Sequence, residues 1–485
     1  MSIITIDLGT TNTKVSCFDR NLRVTKKISR QVPYIKDDDF VEIDPIGYIQ
    51  DIKEMISSCA TDNLTSHIDQ ISITGQAESL VILDKSGDPL LPIISWLDKR
   101  SADECHILEE SFGKECYSIT GQPAFIPTWP ISKILWLRRN KQNIFNQAHK
   151  YLLLKDYVIY CLTGEYLTDF TIAGFSCYFN ITTKYWWTDI LDFVGIHPNQ
   201  LPDIVPPNTI ISKIRSALTT IPGIDKNTSI NSGLLDHFAG MIGTGNIRRG
   251  IISESAGTVL SLATFVDKPI SELRLPTYCG PFPDTYVILP VCESGGICLE
   301  WYKNEFLADN NFHMIDETIL TEKKKKVPIF LPYIAGTNAP YFNEWEKGVF
   351  FGFTAITSKF DFALSIMQGV ACLLQMNIEY LESCGIEVDK LISTGGGAKS
   401  RLWTQIKSDI TGREILVPKN EEAPSLGAAL LSSIHCGYFE SLETALPNTI
   451  SVSKVYTPSN IKDSQQIYKN FRNVYSSLIE AFKEF

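Results

Sequence analysis

The sequence predicts an α/β protein made of two related halves, and three observations support that prediction. At 485 residues the chain is too long for one compact core and suits two domains of about 240 residues each. A β-branched apolar run, a turn of small residues and a second such run open the chain, and the same pattern returns near residue 250. Glycines at 243, 245 and 250 separate the two copies. We therefore predict domains at residues 1–246 and 247–485.

The elements of each half follow from the spacing of apolar residues and from glycine and proline punctuation. In the first half, strands are predicted before and after the N-terminal turn, and a helix is predicted to end at Gly164. In the second half, a long amphipathic helix precedes a strand that runs into three glycines. The predicted strands are Ile3–Leu8, Lys14–Phe18, Ile71–Thr74, Leu80–Leu83, Ile251–Ser253, Val259–Phe265 and Leu391–Thr394, and the predicted helices are Ile131–Arg139, Asp156–Leu162, Phe360–Ser383 and Ser400–Gly412.

Composition and charge narrow the class of partner. The net charge of −11 and pI near 5.3 oppose binding to nucleic acid or to an anionic membrane, and the run of lysines at 323–326 is predicted to be a solvated loop. The twelve cysteines are scattered singly, which is typical of reduced thiols in the cytoplasm. No signal peptide and no apolar segment of membrane-spanning length is expected. The sequence predicts a soluble cytoplasmic protein.

The N-terminal turn is the first candidate site. Gly9, Thr10 and Thr11, followed by Thr13 and Lys14, would let backbone N–H groups and hydroxyls converge on a nucleotide phosphate. Asp7, at the end of the preceding strand, could hold Mg²⁺ directly or through water. An ordinary threonine-rich hairpin is the alternative. Neither the P-loop pattern nor G-x-G-x-x-G is present, because Arg248 stands where Gly243-Thr244-Gly245 would need its third glycine.

Two glycine-containing turns in the second half are further candidates for nucleotide binding. Gly257-Thr258 is the counterpart of the N-terminal turn, and two such turns could hold a triphosphate between them. Gly395-Gly396-Gly397-Ala398 joins a strand to a helix, and three glycines permit either close approach to a flat ligand or simply a tight connection.

Asp236 and the residues around Trp96 are candidates for the acceptor side. Asp236 lies in a small, apolar stretch, where it could be a general base for a hydroxyl proton or a cap of the helix that follows. Trp96, Asp98 and Arg100, with Gln76 and Glu78 upstream, combine an aromatic face with carboxylates and an amide. Such a mixture suits a polyhydroxylated substrate, although a surface loop anchored by the tryptophan is the alternative.

These motifs together resemble the FGGY carbohydrate kinases, and among them the xylulokinases most. The resemblance runs in order along nearly the whole chain and includes both family signatures. Its segments are Ile3–Thr11, Glu42–Pro45, Thr74–Gln76, Trp96–Arg100, Lys133–Leu137, Gly395–Ser400 with Asp409–Gly412, and Pro424–Ala429.

The resemblance implies two RNase H-like, actin-type domains, with MgATP and a sugar bound in the interdomain cleft. It implies that Asp236 is the base and that Asp7 lies near Mg²⁺, with Asp236 as a second metal candidate. Gly257 and Thr258 would contact the phosphates, and Gly396, Gly397 and Ala398 the adenosine. The sugar would be bound by Gln76, Ala77, Glu78, Trp96, Asp98, Arg100 and Asp236. A homodimer would also be in keeping with the family.

Three positions depart from the family pattern, and the first two of them bear on the substrate. Ala77 and Glu78 replace the Met-His typical of xylulokinases, Asn338 lies where many members carry a Glu-Arg segment, and Val259 replaces a frequent serine. The predicted reaction is in-line transfer of the ATP γ-phosphoryl group to a hydroxyl of a ketopentose such as xylulose. The alternatives are another ketose, a polyol or a sugar acid as the acceptor, or an actin-like ATPase without a sugar substrate.

Overall fold

The chain folds into two compact units that each combine distant segments. The computed structural model describes residues 2–61, 67–211, 214–216, 218–270, 275–322, 327–336, 339–341, 343, 345–420 and 422–484. The first unit comprises Met1–Gly245, Asp267–Tyr286 and Asn420–Ile450, and the second comprises Asn246–Val266, Val287–Lys419 and Ser451–Phe485. The domain boundary after residue 246 stays a prediction. The predicted lysine loop at 323–326 and the departure at Asn338 lie outside the described residues.

The strands are short and mostly buried, and β-branched residues are frequent in them. They are β1 (Ser2–Leu8), β2 (Asn12–Phe18), β3 (Val24–Gln31), β4 (Tyr34–Asp37), β5 (Phe40–Ile43), β6 (Ile68–Gly75), β7 (Leu80–Leu83), β8 (Ile93–Ile94), β9 (Lys150–Leu153), β10 (Leu167–Asp169), β11 (Phe179–Asn180), β12 (Tyr185–Trp186), β13 (Asp203–Val205), β14 (Ile210–Ile211), β15 (Ser229–Asn231), β16 (Leu234–Leu235), β17 (Gly250–Ala256), β18 (Leu260–Val266), β19 (Thr277–Cys279), β20 (Tyr286–Ile288), β21 (Val291–Cys292), β22 (Ile329–Leu331), β23 (Val349–Phe351), β24 (Val388–Thr394), β25 (Glu414–Pro418) and β26 (Val452–Tyr456).

The helices range from single turns to the long core helix of the second unit. They are α1 (Pro45–Thr61), α2 (Ala102–Thr120), α3 (Pro130–Asn140), α4 (Gln142–Gln147), α5 (Leu154–Thr163), α6 (Phe170–Ala173), α7 (Thr188–Val194), α8 (Asp236–Gly243), α9 (Ile297–Phe306), α10 (Phe312–Thr321), α11 (Lys359–Ser383), α12 (Arg401–Thr411), α13 (Ala423–His435), α14 (Leu442–Thr449) and α15 (Ile461–Lys483). Short 3-10 helices cover Pro198–Gln200, Leu218–Thr220 and Gly396–Lys399.

The main sheet of the first unit is built on an antiparallel hairpin. Its strand order is β14-β15-β6-β1-β2-β3, and β16 also pairs with β6. Strands β1 and β2 are antiparallel, and β6 joins the other edge of β1 in parallel. Every residue of β1 is buried, which is typical of a central strand covered on both faces. The parallel arrangement brings the carboxyl ends of β1, β6 and β16 to one edge of the sheet.

The second unit repeats this construction. Strands β17 and β18 form an antiparallel hairpin, β24 joins the other edge of β17 in parallel, and β25 and β26 follow. In each unit a helix precedes the parallel strand, α1 in the first and α11 in the second. The two predicted copies of the strand–turn–strand device are therefore present. The second turn was predicted to comprise residues 255–258. Ser255 and Ala256 instead continue β17, and only residues 257–259 connect it to β18.

The predicted helices are also present, with their expected ends. Gly164 ends α5 in the left-handed region, and its backbone N–H donates to the carbonyl of Tyr160. Helix α11 begins with a capping box between Ser358 and Asp361. Among the described residues, α11 is long enough and apolar enough to cross a bilayer. The expectation that no segment has that length and composition was therefore wrong. However, 83% of its most apolar window is buried inside the protein, as in a core helix.

Candidate active site

The N-terminal turn is shaped by backbone contacts and anchored by two aromatic side chains. A Cβ on Gly9 would lie 2.8 Å from the carbonyl oxygen of Asn12, so only glycine fits there without a shift. The Thr10 carbonyl accepts a hydrogen bond of 2.9 Å from the Tyr34 hydroxyl. The Thr10 hydroxyl accepts one of 3.2 Å from Trp96 Nε1. Thr11 is exposed at the tip. The two predicted segments around Gly9 and Trp96 are thus in direct contact.

Asp7 is the residue before the last of β1, and burial beside another carboxylate disfavours its charged form. It is only 4% exposed, and in the sheet it lies opposite Thr74 of β6 and Lys14 of β2. Burial and the negative charge of Asp236 raise its pKa from 3.8 to about 7, although the charge of Lys14 opposes that rise. The two carboxylates therefore interact, as expected of a site that receives a positive charge.

Thr13 and Lys14 already have partners inside the first unit. The Thr13 hydroxyl is buried and lies 2.6 Å from the Tyr48 hydroxyl. Lys14 Nζ donates to Glu422 at 2.8 Å, and Lys27 donates to the same carboxylate at 2.9 Å. Burial tends to raise the pKa of Glu422, but these hydrogen bonds outweigh burial and hold it below its ordinary value. Lys14, beside the turn, therefore belongs to an ionic network with Lys27 and Glu422.

The end of β6 carries the next group of predicted residues. Gln76 is buried, its backbone N–H donates to the Leu8 carbonyl at 2.9 Å, and its side-chain oxygen accepts from Ser79 at 3.1 Å. Ala77 is 6% exposed. Glu78 is half-buried and has a φ of 70°, in the left-handed region that few side chains adopt. Such an outlier is common at functional sites.

The carboxylate of Glu78 lies among groups of both signs. Its Oε1 accepts a long hydrogen bond of 3.4 Å from the Thr128 hydroxyl. Burial raises its pKa, the positive charge of Lys133 works against that rise, and Asp236 adds to it. The influence of Asp236 on both Asp7 and Glu78 indicates that the three carboxylates share one region of the first unit.

Lys133 is a supporting residue whose role the sequence did not reveal. It belongs to the first signature segment, and its side chain is fully buried in α3. Its Nζ donates to three backbone carbonyls, those of Ser95 at 2.8 Å, Thr128 at 2.8 Å and Glu78 at 3.3 Å. Burial lowers the pKa of Lys133, while the neighbouring carboxylate of Glu78 favours its charged form. One ammonium group therefore joins the three loops that carry Glu78, Trp96 and Thr128.

Asp98 and Arg100 form an ion pair that supports the turn at Trp96. Asp98 is fully buried, accepts the Val41 N–H at 2.7 Å and lies 2.6 Å from Arg100. Arg100 also donates to Glu42 at 2.7 Å and lies over the ring of Phe40 at 4.2 Å. The contact of Asp98 and Arg100 with a substrate stays a prediction, and their mutual ion pair also gives both residues a supporting role in the fold. Trp96 itself is half-buried.

Asp236 is the first residue of α8 and follows β16. Strand β16 pairs with Thr74 and Gly75 at the end of β6, which brings Asp236 to the edge of the sheet that carries Asp7 and Gln76. Asp236 is half-buried, and its carboxylate accepts the N–H of His237 at 2.6 Å. Leu235 stands at the cap position, so Asp236 is not itself the N-cap.

Helix α8 is fixed by a close crossing with α13. A Cβ on Gly243 would lie 1.9 Å from the carbonyl oxygen of Ala423. A Cβ on Gly427 would lie 1.8 Å from the carbonyl oxygen of Ala239. The two backbones therefore approach so closely that only glycine fits at either position.

The turns of the second unit lie against each other. A Cβ on Gly257 would meet open space, Thr258 is exposed, and the Gly257 carbonyl accepts the Gly296 N–H at 2.7 Å. Gly395 has a φ of 74°, and a Cβ on Gly397 would lie 2.8 Å from Cβ of Ala256. The glycine-rich turn thus packs on the end of β17, beside the turn at Gly257.

A buried ion pair lies beneath the two turns of the second unit. Lys407 Nζ is 2.8 Å from Glu254, whose other oxygen accepts a hydrogen bond from Ser393. Lys407 and Glu254 are no more than 1% exposed. Their elements, α12 and β17, are held together directly below Gly397. The sequence did not indicate this pair, since its members are 153 residues apart.

Comparison with known proteins identifies the family. The model of the FGGY family of carbohydrate kinases, N-terminal domain, matches residues 2–243, and that of the C-terminal domain matches residues 260–436. The chain belongs to the FGGY family of carbohydrate kinases. The resemblance drawn from the sequence and the two-domain α/β fold it implied are therefore confirmed.

Relatives of this FGGY kinase differ in the substrate that their names give. This chain is 29% identical to a xylulose kinase of Staphylococcus epidermidis, over 99% of this chain and 97% of that protein. It is 30% identical to a gluconokinase of Bacillus subtilis, over 98% of this chain and 94% of that protein. The crystal structure of ligand-bound xylulose kinase from Lactobacillus acidophilus superposes with a TM-score of 0.91 at 27% identity, and covers 100% of this chain and 99% of its own.

Membership makes the chain a sugar kinase, and kinases of this family use ATP as phosphate donor. The described part of the chain contains no group of three or more His, Cys, Asp or Glu side chains that could hold a metal ion. Asp7 and Asp236 offer two carboxylates instead. Oxygen donors of that type suit Mg²⁺, which keeps several waters and needs only one or two protein carboxylates beside substrate phosphates.

Proposed function

We propose that this FGGY kinase transfers the γ-phosphoryl group of ATP to a hydroxyl of a neutral ketose, with a ketopentose such as xylulose as the first candidate. The observation that carries the proposal is the meeting of Asp7, Gln76 and Asp236 at one edge of the main sheet of the first unit. Ligands of open α/β sheets bind outside the carboxyl ends of the strands, and this edge is of that kind.

Asp236 is the proposed general base. Asp236 is only half-buried, whereas Asp7 and Asp98 are buried, so Asp236 is the carboxylate most open to a substrate among the three. It accepts the proton of the acceptor hydroxyl as that oxygen attacks the γ-phosphorus, and the bond from phosphorus to the β-phosphate oxygen breaks. Because little covalent chemistry is needed from the protein, most of the catalysis lies in positioning and in stabilising charge.

Asp7 and Asp236 fit the requirements of a Mg²⁺ site. The charge of Asp236 helps to raise the pKa of Asp7, and a cation beside both would relieve that repulsion. When bound there with ATP, Mg²⁺ would neutralise charge on the phosphate oxygens. The proposed ATP contacts are the residues of the three turns, namely Gly9, Thr10, Thr11, Thr13, Lys14, Gly257, Thr258, Gly396, Gly397 and Ala398.

Glu78 favours a neutral acceptor over a sugar acid. Its carboxylate lies near enough to Asp236 for their charges to interact, and a second negative group on the substrate would add to that repulsion. The gluconokinase name of one relative keeps a sugar acid as the second candidate. Gln76, Ala77, Glu78 and Trp96 are the proposed sugar contacts. Action in the cytoplasm and a homodimer stay predictions.

A coupled ADP-release assay tests the substrate. MgATP is supplied with D-xylulose, other ketoses, polyols and D-gluconate, each over a range of concentrations. We expect turnover on D-xylulose or another neutral ketose and little on gluconate. Preferred turnover on gluconate would contradict the role given to Glu78, and ATP hydrolysis that needs no sugar, with filament formation, would favour the actin-like ATPase.

The variant Asp236→Ala tests the mechanism. Loss of a general base lowers the rate by about 10²–10⁴-fold, so we expect only a trace of turnover to remain while ATP affinity stays near that of the wild type. Equilibrium binding of ATP is measured on the same preparation. Near-normal turnover in this variant would remove Asp236 from the role.

A further inference from the structure

The backbone that carries Asp236 is held on both sides by side chains from other elements. The Leu235 N–H donates to the Thr171 hydroxyl at 2.9 Å, and the Ser232 carbonyl accepts from Lys155 Nζ at 2.5 Å. Between them Gly233 has a φ of 69°, and a Cβ there would lie 1.7 Å from the carbonyl oxygen of Ile73. The turn into α8 is therefore fixed at three points, two of which depend on side chains.

The Thr171 hydroxyl oxygen can accept the Leu235 N–H only if the hydroxyl proton points away from that N–H. It donates to Asp169 Oδ1, and the same oxygen accepts the Thr171 N–H at 2.9 Å. A hydroxyl has a single proton to donate, and an ionised carboxylate can only accept. Asp169 thus fixes the rotation of the hydroxyl and leaves an oxygen lone pair for the Leu235 N–H.

Lys155 balances the charge of Asp169. Its Nζ lies 3.0 Å from Asp169 Oδ2 and 3.3 Å from Asp156 Oδ1, and all three side chains are at most 1% exposed. Charges buried so deeply are costly unless they are paired. Lys155 therefore reaches the turn before Asp236 by two routes, directly through the Ser232 carbonyl and indirectly through Asp169 and Thr171.

We propose that Thr171, supported by Asp169 and Lys155, is a positioning residue for Asp236. It sets the backbone immediately before Asp236 and thereby the direction of the carboxylate that accepts the hydroxyl proton. The inference rests on the proposed function, because this direction matters to turnover only if Asp236 is the base.

The test compares Thr171→Val with Thr171→Ser. Valine keeps the volume and removes the hydroxyl, whereas serine keeps the hydroxyl. A misplaced catalytic group can cost about 10²-fold in rate, so we expect kcat to fall about 10–100-fold in the valine variant, with KM for ATP and for the sugar nearly unchanged. The serine variant is expected to stay within about threefold of the wild type.

Thr163→Val is the matched control. The Thr163 hydroxyl is equally buried, accepts the Glu165 N–H at 3.0 Å and donates to the Ile159 carbonyl at 2.8 Å, but the turn it holds does not lead to Asp236. We expect a similar fall in melting temperature with unchanged kcat. If kcat of Thr171→Val and of Thr163→Val agree, the inference is overturned.

Asp236→Ala, alone and combined with Thr171→Val, separates this inference from the proposed function. We expect the double variant to be no slower than Asp236→Ala, since positioning has nothing left to act on. An active Asp236→Ala would defeat the proposed function and this inference together. An inactive one beside a normal Thr171→Val would defeat the inference alone. If Thr171→Val does not fold, Thr171→Cys replaces it, because a thiol keeps a weak donor and acceptor in nearly the same volume. Its kcat is expected to lie between that of Thr171→Ser and a tenfold loss relative to the wild type. No loss of kcat in this variant would also overturn the inference.

Discussion

The crossing of α8 and α13 gives a prediction that links packing to catalysis, and the substitution is Gly427→Ala. The added Cβ would lie 1.8 Å from the Ala239 carbonyl oxygen, whereas an ordinary contact begins at 3.4 Å. The shortfall is 1.6 Å. Because the obstacle is backbone and not the end of a flexible side chain, the two helices must separate to accept it.

The expected loss follows from that separation. Inserting a methyl group into a well-packed contact costs about 1–3 kcal/mol, and the higher helix propensity of alanine recovers at most about 1 kcal/mol. A net loss of about 1–2 kcal/mol remains, which corresponds to a fall in melting temperature of roughly 2–8 °C for units of this size. Since α8 begins at Asp236, its displacement should also lower kcat, by about tenfold or more.

Differential scanning calorimetry and steady-state kinetics measure the two effects on the same samples. The control is Gly113→Ala in α2, where the three atoms nearest the added Cβ all belong to the side chain of Glu109, the first being Oε1 at 2.3 Å. That side chain can move, so this variant should gain about 0.5–1 kcal/mol and keep its kcat. A Gly427→Ala protein with the melting temperature and kcat of the wild type would refute the reasoning.

Asp7→Asn should stabilise the protein in the absence of Mg²⁺ and abolish turnover. The pKa of Asp7 is 3.8 in the unfolded chain and about 7 in the folded protein. The free-energy cost of burying its charge is therefore absent below pH 3.8, grows as the pH rises and levels off above pH 7. The gain in unfolding free energy should therefore rise from about 2 kcal/mol at pH 5.5 to about 4 kcal/mol at pH 8, and a gain that falls with pH would contradict the assignment. Lys133→Met should raise KM for the sugar about tenfold or more with little change in KM for ATP, because three carbonyls lose their shared donor. Lys150→Met, which frees the carbonyls of Asn199 and Leu201 elsewhere in the first unit, should leave both KM values unchanged, and equal effects of the two variants would rule out a role of Lys133 at the site.

Local pattern was enough to predict the strands and turns that carry the candidate site. The apolar run before Gly9 and the run before Gly395 are both central strands, because continuous β-branched segments bounded by glycine suit a strand buried on both faces. The glycine at 164 and the amphipathic spacing of α11 were equally reliable. These signals work because each depends on residues that are near one another in the sequence.

The partners of charged residues could not be predicted in this way. Lys14 meets Glu422 across 408 positions, and Lys407 meets Glu254 across 153. Asp98 looked available to a substrate because the sequence does not show that Arg100 folds back onto it. Lys133 was visible as part of a signature, but its three carbonyl contacts depend on loops that only the tertiary fold brings together.

The positive φ of Glu78 also limits which side chains can replace it during evolution. At a φ of 70°, side chains branched at Cβ are strongly disfavoured, whereas glycine, asparagine, aspartate and histidine are tolerated. The histidine typical of xylulokinases at this place belongs to the tolerated set. Substitution at residue 78 is therefore restricted to a few side chains, and valine, isoleucine or threonine there would strain the backbone whatever the acceptor is.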